Sequence, residues 1–204
     1  MVDFYDDLET QDAATREARL FGALSAQVAH AQTASKAFQR ILTGVDARSI
    51  TSREALATLP VTRKTQLLEI QKATRAQDPM GGFATQSYGA AMPQIFASPG
   101  PIYEPEGTAT DYWRTARAVF AAGFRAGDLI HNCFSYHFTP AGSMMATAAR
   151  AIGCSVFPGG IGQTEQQVQA MAELKPAGYI GTPSFLRIIL EKAEEMGVAL
   201  PSVT

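Results

Sequence analysis

The chain lacks the features that mark disulfide-stabilised, zinc-stabilised, secreted and membrane-spanning proteins. Its 204 residues include two cysteines, Cys133 and Cys154, which are too few for a disulfide framework and lack the paired spacing of a structural zinc site. No apolar run approaches the roughly 20 residues that span a bilayer, and the acidic start, Met1–Asp7, is unlike a signal peptide. We therefore expect a cytoplasmic protein with reduced thiols and no membrane association.

An excess of charge of one sign is also missing. The chain has 17 Lys and Arg residues against 19 Asp and Glu residues, a formal net charge of -2. Residues 1–80 hold ten basic and ten acidic residues, and residues 81–204 hold seven and nine. Neither half therefore offers the basic face that nucleic acid requires. With 46% hydrophobic and 18% charged residues, the composition is that of an ordinary globular protein that does not bind nucleic acid.

Residues 1–80 have the pattern of a helical lead-in. The segment 8–43 contains no proline, and its apolar residues recur at helical spacing: Leu20, Leu24, Val28 and Ala31. This pattern predicts one long helix, or two helices joined near His30.

Two shorter helices are expected later in the lead-in. Thr51 or Ser52 is suited to cap a helix that ends before Pro60. Thr62 is suited to cap another helix over about residues 63–75.

The pattern changes at Gly81, where we expect an α/β subdomain over residues 81–204 to begin. The β-type residues of segments 83–88 and 93–97 predict two short strands. Thr110 is then a candidate cap for an amphipathic helix. The apolar stripe of that helix comprises Tyr112, Trp113, Ala116, Val119 and Phe120.

An apolar strand followed by a helix then recurs three times. The predicted strands are 129–134, 154–157 and 178–181, and the helices are about 140–152, 164–174 and 184–196. Such alternation indicates βαβ units with right-handed crossovers. The predicted fold is therefore α/β: a helical amino-terminal lead-in followed by a mainly parallel βαβ sheet.

The uncharged middle of the chain points to the centre of this sheet. Between Asp128 and Ile161 the only other charged residue is Arg150, which indicates buried strands. Ligands of such sheets bind beyond the carboxyl ends of the strands. The loops expected there, 135–140, 158–162 and 182–185, contain aromatic residues, glycine and small hydroxyl side chains but no charged residue. They suit an apolar or aromatic ligand.

Several short blocks of sequence carry a family resemblance. They are residues 59–64 (LPVTRK), 79–82 (PMGG), 127–132 (GDLIHN), 158–160 (PGG), 164–165 (TE) and 181–185 (GTPSF). In this order they resemble the amino-terminal half of phenylacetate–CoA ligases. These adenylate-forming enzymes activate a carboxylic acid with ATP and Mg and transfer the acyl group to coenzyme A.

The resemblance implies a partial amino-terminal domain. The chain stops at Thr204, before the segments that carry the family's adenine, ribose and metal contacts and its catalytic lysine. We therefore expect a fragment that is inactive by itself and binds none of these cofactors tightly, taken from a protein that uses ATP, Mg and coenzyme A. The implied partner is a small-molecule carboxylic acid, aromatic or apolar, and a homodimer is consistent with the family.

The resemblance also indicates substrate-binding residues in the three loops. They are Tyr136, His137, Phe138, Gly160, Thr182, Pro183, Ser184 and Phe185. Each has a simpler interpretation: the aromatic residues can serve only packing, and Thr182 or Ser184 can cap the last helix.

The segment that resembles the family's phosphate loop departs most from the family's pattern. The family's loop reads Ser-Ser-Gly-Thr-Thr-Gly-Lys-Pro, and this chain keeps only Ser98, Gly100 and Pro105. Two prolines, at 99 and 101, remove backbone donors, while Tyr103 adds bulk and Glu104 adds negative charge. The candidate cofactor-binding residues of this degenerate loop are Ser98, Gly100, Tyr103 and Glu104.

Three functions stay open from the sequence. The complete protein can be an acyl- or aryl-CoA ligase with a remodelled phosphate loop. It can instead be a binding or regulatory protein that has kept a pocket for an acid or acyl-CoA and lost ATP chemistry. In the third, Tyr103 and Glu104 are new catalytic groups on the same fold.

A metal site and a dinucleotide site are the weaker interpretations. His131 and Cys133 share one face of a strand and His137 follows, but a core histidine and an inert thiol explain them better, so we predict no metal. The segment Gly160–Glu165 begins like a dinucleotide fingerprint but has Glu165 in place of the third glycine, and a tight turn explains it.

Overall fold

The computed structural model describes residues 4–200 and divides them into two compact units. One unit comprises residues 6–106, and the other comprises residues 107–200 together with residues 4 and 5. The boundary between Glu106 and Gly107 lies later in the chain than the change of sequence character at Gly81.

The first unit is mainly helical. It contains helices α1 (Ala13–Ala34), α2 (Lys36–Ile41), α3 (Arg53–Ala57) and α4 (Lys64–Thr74), short 3-10 helices at Asp7–Glu9 and Ala47–Ser49, and strands β1 (Gln94–Ser98) and β2 (Ile102–Glu106). Its apolar core centres on Val28, Leu42 and Ile50. The predicted division of the first helical segment occurs at Ser35, whose hydroxyl accepts from the Phe38 N–H and donates to the Gly82 carbonyl.

Of the two helix caps predicted for α3 and α4, one is confirmed and the other is wrong. Ser52 caps α3 by accepting a hydrogen bond from the Ala55 N–H, as predicted. Thr62 does not cap α4, because the capping position is Arg63, whose N–H donates to the Gln66 side chain at 3.0 Å. The first turn of α4 is therefore held by a glutamine side chain that accepts from the capping residue, and not by the expected hydroxyl.

The predicted strand over residues 83–88 is wrong. These residues, all described, form no strand, and the side chains of 85–88 are exposed, so the segment has no face to bury against a partner. The second predicted strand, 93–97, is observed as β1, and its antiparallel partner is β2, with Ser98 opposite Ile102 and Phe96 opposite Glu104. The segment compared with a phosphate loop is thus largely a hairpin.

The second unit is built from alternating strands and helices. In chain order it comprises α5 (Ala116–Ala121), β3 (Leu129–Asn132), α6 (Ala141–Ala151), β4 (Ser155–Phe157), α7 (Thr164–Leu174), β5 (Gly178–Ile180) and α8 (Pro183–Glu195). The sheet order is β4-β3-β5, and both neighbours run parallel to β3. The α/β fold class with a helical lead-in is confirmed, as are the three strand–helix repeats.

The central strand has the burial that its uncharged sequence predicts. Ile130, His131 and Asn132 are each 0% exposed. One apolar cluster joins Ile130 to helices α5 and α6, and a second joins Cys133 to Val168 and Ile189 on α7 and α8. Within residues 4–200, β5 pairs only with β3, so its other side is an edge.

The helix predicted to begin after Thr110 begins later. Asp111, at φ 46°, accepts hydrogen bonds from the N–H groups of Thr115 and Ala116 at 2.8 and 3.0 Å, and α5 begins at Ala116. An aspartate that bonds to the backbone a few residues ahead favours a turn over a helix, which explains the difference. Across the described part of the chain, no helix has the length and apolar character needed to cross a membrane.

Candidate functional site

The three predicted site loops begin at the same edge of the parallel sheet. Residues 136–138 follow β3, Gly160 follows β4, and residues 182–185 follow β5. Parallel strands place their carboxyl ends together, so the sheet brings these loops to one edge. The Gly160 N–H donates to the Asn132 carbonyl at 3.0 Å, which joins the second loop to the end of the central strand.

Asn132 organises the loop that contains Tyr136. Its Nδ2 donates to the Tyr136 hydroxyl at 2.7 Å and to the Gly142 carbonyl at 2.9 Å, and its Oδ1 accepts from the Phe134 N–H at 3.1 Å. Burial raises the pKa of Tyr136, so the phenol stays protonated at neutral pH. The buried amide thus fixes a neutral tyrosine beside the first turn of α6.

The absence of a side chain at Gly142 leaves room for the Tyr136 ring. A Cβ at residue 142 would lie 2.8 Å from Cγ of Tyr136 and 2.7 Å from the Ser135 carbonyl oxygen. A Cβ at Gly160 would lie 3.9 Å from Cδ2 of the same ring, in ordinary contact. Tyr136 and Gly160, both predicted site residues, are therefore neighbours.

Gln167 on α7 organises the loop that contains Gly160. Its Nε2 lies 2.8 Å from the Gly159 carbonyl oxygen and 3.2 Å from that of Gly162. Its Oε1 lies 2.6 Å from Nε2 of His131, whose ring stacks on Phe157 with centroids 5.0 Å apart. One buried amide thereby connects the loop to the central strand.

The polarity of the Gln167 contacts determines the state of His131. An amide nitrogen that donates to carbonyls leaves its oxygen as the acceptor, so His131 carries its proton on Nε2. Burial lowers the pKa of His131, and the hydrogen bond to Gln167 opposes this shift only in part. The imidazole is therefore neutral, and its buried Nδ1 has no hydrogen-bond partner within the described residues.

Sequence reasoning missed Asn132 and Gln167 as organising residues. For Gln167 the signal is an uncharged polar residue four positions before Met171, on the face of α7 that is otherwise buried. For Asn132 the signal is a polar residue at the end of a buried strand. Neither pattern predicts which residues form hydrogen bonds with the side chain.

His137 and Phe138 lie at the surface of the first loop. The Phe138 side chain is 82% exposed, and the residue adopts φ 61°, a region that non-glycine residues seldom occupy. The Ser135 hydroxyl accepts from the His137 N–H at 3.1 Å and shapes this turn. An exposed aromatic residue with a strained backbone is a feature that functional loops often have.

His131 on β3 and Cys133, which directly follows this strand, have the burial of core groups. Burial raises the pKa of Cys133 to about 12, so the thiol is neutral and a poor nucleophile or ligand at neutral pH. His131 is paired with Gln167. Nowhere in residues 4–200 do three or more His, Cys, Asp or Glu side chains gather as a metal site requires.

The third loop is a helix cap. The Thr182 Oγ1 accepts from the Phe185 N–H at 3.3 Å and from the Ser184 hydroxyl at 3.2 Å, and Pro183 occupies the first helical position of α8. The Tyr179 hydroxyl donates to the Thr182 carbonyl at 3.2 Å, and burial raises the pKa of this tyrosine. The capping interpretation is confirmed, while the exposed hydroxyls of Thr182 and Ser184 stay at the sheet edge.

An apolar cleft of about 370 Å³ opens beside β5. Its lining residues share an apolar or weakly polar character: Ala118, Val119, Ala122, Phe124, Met145, Tyr179, Ile180 and Gly181. Met145 is three residues after Gly142 on α6, so the cleft and the Tyr136 ring use successive turns of one helix face. The sequence did not predict this cleft.

The hairpin that replaces a phosphate loop is described within its own unit. The Ser98 hydroxyl donates to the Glu104 carboxylate at 2.7 Å. The Tyr103 N–H donates to Oε1 of Gln71, and Nε2 of Gln71 donates to the Tyr103 carbonyl, both at 2.9 Å. Gln71 is 1% exposed, so α4 holds this strand through a buried amide. The Ser98 hydroxyl and the Tyr103 N–H are thus both bonded within the unit.

Comparison with known proteins identifies the relatives of the chain. It is 33% identical over 162 residues to the phenylacetate–coenzyme A ligase of Aromatoleum evansii, covering 76% of this chain and 35% of that enzyme. It is 30% identical over 173 residues to the enzyme of the same name from Thermus thermophilus, covering 79% of this chain and 36% of the enzyme. The chain therefore spans about a third of the length of these curated relatives.

Solved structures show the same fold. A 2-hydroxyisobutyryl-CoA ligase, crystallised in the postadenylation state with 2-HIB-AMP, matches 92% of this chain and 41% of its own with a TM-score of 0.81 and 23% identity. No protein-family model matches the chain. The sequence relatives and the shared fold agree with the motifs, and the chain belongs to the phenylacetate–coenzyme A ligase family of adenylate-forming enzymes.

Proposed function

We propose that the complete protein is an acyl- or aryl-CoA ligase that activates a carboxylic acid with ATP and transfers it to coenzyme A. The observation that carries this proposal is the match of 76% of the chain to a phenylacetate–coenzyme A ligase at 33% identity. Because the chain spans about a third of that enzyme, it is by itself an inactive part of the ligase. A homodimer of the complete protein belongs to the same proposal.

The proposed acid site lies at the carboxyl edge of the sheet. Tyr136 and Gly160 form its floor, and the exposed Phe138 ring lies on the same loop as Tyr136. The remaining proposed contacts come from exposed or half-buried residues of the same loops: His137, Thr182, Pro183, Ser184 and Phe185. Because these loops contain no charged residue, they favour the apolar or aromatic part of an acid over a phosphate.

The hairpin residues of the other unit do not fit a triphosphate. An anion needs free N–H and hydroxyl donors, but the Tyr103 N–H and the Ser98 hydroxyl are each bonded within the unit. Glu104 adds a carboxylate that repels phosphate. Contact of Ser98, Gly100, Tyr103 or Glu104 with ATP stays a prediction, and the hydrogen bonds within this hairpin do not favour it. ATP, Mg and coenzyme A belong to the proposal for the complete protein.

A second function is favoured by one observation, the internal bonding of this hairpin. A protein that has lost adenylation while keeping an acid or acyl-CoA pocket needs no phosphate donors. It would bind an aryl acid without consuming ATP. This function differs from the first in a single measurable step.

Acid-dependent exchange of labelled pyrophosphate into ATP tests the ligase function on the full-length protein. Exchange that requires both phenylacetate and Mg supports the ligase. Saturable phenylacetate binding by calorimetry with no exchange and no AMP formation overturns the ligase and supports the binding protein. Exchange catalysed by residues 1–204 alone would contradict the proposal that this part is inactive.

A further inference from the structure

Gln167 is a buried side chain whose contacts go beyond helix packing. The residue is 2% exposed and lies beneath the loop 158–162 that follows β4. Its Nε2 contacts three successive parts of this loop, at 2.8 Å from the Gly159 carbonyl oxygen, 3.3 Å from Gly160 and 3.2 Å from Gly162. The two N–H donors of a single amide therefore serve three backbone acceptors of the loop, the shortest contact being to Gly159.

The loop has few other means of holding its shape. Gly159, Gly160 and Gly162 have no side chains, and Gly160 and Gly162 adopt φ values of 65° and 75°, which glycine reaches without strain. Glycine-rich backbone is entropically costly to order, so a fixed shape requires contacts from outside the loop. The amide of Gln167 supplies them.

The amide is itself held in one orientation. His131 donates from Nε2 to Oε1 of Gln167, and its ring is fixed by the central strand and by stacking on Phe157. A rotated Gln167 amide would place NH₂ against the His131 N–H and an oxygen against the loop carbonyls. The order of contacts therefore runs from β3 through His131 and Gln167 to the loop.

The fixed loop bears on the proposed acid site. The Gly160 N–H donates to the Asn132 carbonyl, and the α-carbon of Gly160 faces the Tyr136 ring, which Asn132 holds from the other side. A Cβ on Gly159 would collide with Oε1 of Gln167. The distance between Gly160 and Tyr136 thus depends on the position of the Gln167 amide.

We propose that Gln167, oriented by His131, is a positioning residue that holds Gly160 opposite Tyr136 and thereby sets the width of the acid pocket. Gln167 itself touches no acid. This proposal deepens the proposed ligase function and rests on it. The shape of the loop, however, is measurable without any catalysis.

The test compares the Gln167→Met and Gln167→Glu variants with Gln169→Glu in the full-length protein. Met removes the donors without burying a charge, Glu keeps the acceptor for His131, and the exposed Gln169 on the same helix is the matched control. Hydrogen exchange is measured by mass spectrometry on the peptide around Gly160 and on the peptide of β3. Pyrophosphate exchange then gives the KM for phenylacetate and the KM for ATP.

We expect both Gln167 variants to exchange the Gly160 peptide about tenfold faster, with the β3 peptide within about threefold of wild type. The KM for phenylacetate should rise about tenfold and the KM for ATP should stay within about twofold. Restoration of near-normal loop protection in Gln167→Glu alone would show that the acceptor matters and the donors do not, which overturns the proposal.

The hydrogen-exchange and KM results can also contradict the proposal in other ways. Unchanged protection of the Gly160 peptide in both Gln167 variants overturns the positioning role. Faster exchange with a phenylacetate KM equal to that of Gln169→Glu overturns the link from loop to acid pocket. A wild-type protein without acid-dependent exchange refutes the proposed function, and the hydrogen-exchange comparison still decides whether Gln167 fixes the loop.

Discussion

Two loops of this chain are each held by one buried glutamine, and the two glutamines have different effects. Gln71 on α4 pairs with both the N–H and the carbonyl of Tyr103, in the manner of an extra strand. Gln167 on α7 donates to carbonyls of the loop 158–162 and accepts from His131. The same side chain therefore serves once as a donor and acceptor for a hairpin and once as a link between a strand and a loop.

The two glutamines bind different sets of backbone groups, each within its own unit. Gln71 takes the Tyr103 N–H, a donor that an anion would need, and Ser98 is taken by Glu104. Gln167 takes carbonyls, which an anion does not need, and leaves Tyr136 and Gly160 as the surface of the loop pair. We therefore expect the hairpin to be a poor phosphate site, while the sheet-edge loops stay candidates for an uncharged ligand.

Among the predicted effects, the largest should be the loss of stability when Gln71 is replaced by Leu. It leaves the Tyr103 N–H and carbonyl without their partners in a buried setting, and we expect a loss of about 3 kcal/mol of unfolding free energy. Urea denaturation measures the loss. Gln39→Leu, at an exposed position on α2, is the control and should change stability by less than about 0.5 kcal/mol. Equal losses in both variants would remove the special role of Gln71.

Replacing Gly159 by Ala should perturb the other loop to a smaller extent. The new methyl group collides with Oε1 of Gln167 and lies 2.9 Å from Nε2 of His131, and we expect a cost of about 2 kcal/mol from overpacking. Gly22→Ala on α1, where nothing lies within 4 Å of an added Cβ, is the control and should be neutral or slightly stabilising. Thermal unfolding measures the stability of the two variants. A Gly159→Ala variant as stable as wild type would contradict the predicted collision.

Restoring a phosphate-loop sequence should sharpen the contrast between the two loops. The full-length variant replaces Pro99, Pro101, Ile102, Tyr103 and Glu104 by Ser, Thr, Thr, Gly and Lys respectively. Because it restores donors and reverses one charge, we expect ATP to bind about tenfold more tightly by calorimetry. Glu104→Gln alone, which removes only the charge, should give a smaller gain. Unchanged ATP affinity in the five-residue variant would contradict our account of this hairpin.

The pH dependence of stability should show the smallest effect. Burial lowers the pKa of His131 below its unfolded value of about 6.5, so below that pH the unfolded chain binds more protons than the folded chain. The contribution of neutral His131 is therefore complete above about pH 6.5 and is lost as the pH falls toward the lower, folded pKa.

The measurement compares the unfolding free energies of wild type and His131→Gln near pH 7.5 and 5.5. His131→Gln should reduce the acid-side loss of stability by about 1 kcal/mol. Identical pH dependence in wild type and His131→Gln would show that His131 does not titrate on unfolding in this range.

The sequence predicted most of the second unit because its signals are local. Apolar strands, glycine turns and helical spacing placed β3, β4, β5 and the helices that follow them, with ends within a few residues of those observed. Prediction from the sequence failed where the same residues are compatible with more than one local structure. Asp111 bonds to the backbone ahead and delays α5, and the exposed segment 85–88 has β-type residues but no partner strand.

The common edge of the three candidate loops was predicted, while their binding of an acid stays a prediction. The rule that ligands bind beyond the carboxyl ends of parallel strands located residues 136–138, Gly160 and 182–185 at one edge. Asn132 lies in the block 127–132 that resembles the family and Gln167 lies in none of the blocks, and neither was predicted to hold a loop. Their chemistry is ordinary, and only their neighbours make them organising residues.

By itself the sequence determined the α/β class, the strand–helix repeats, the uncharged character of the sheet-edge loops and the family relationship. The first three follow from residue type and spacing along the chain, which govern backbone conformation and burial locally. The family relationship follows from the resemblance of short sequence blocks to a known family. The tertiary structure decided which polar groups are occupied. Gln71 meets Tyr103 and His131 meets Gln167 across 32 and 36 residues of chain, and no local rule predicts hydrogen bonds that form only when distant elements pack together.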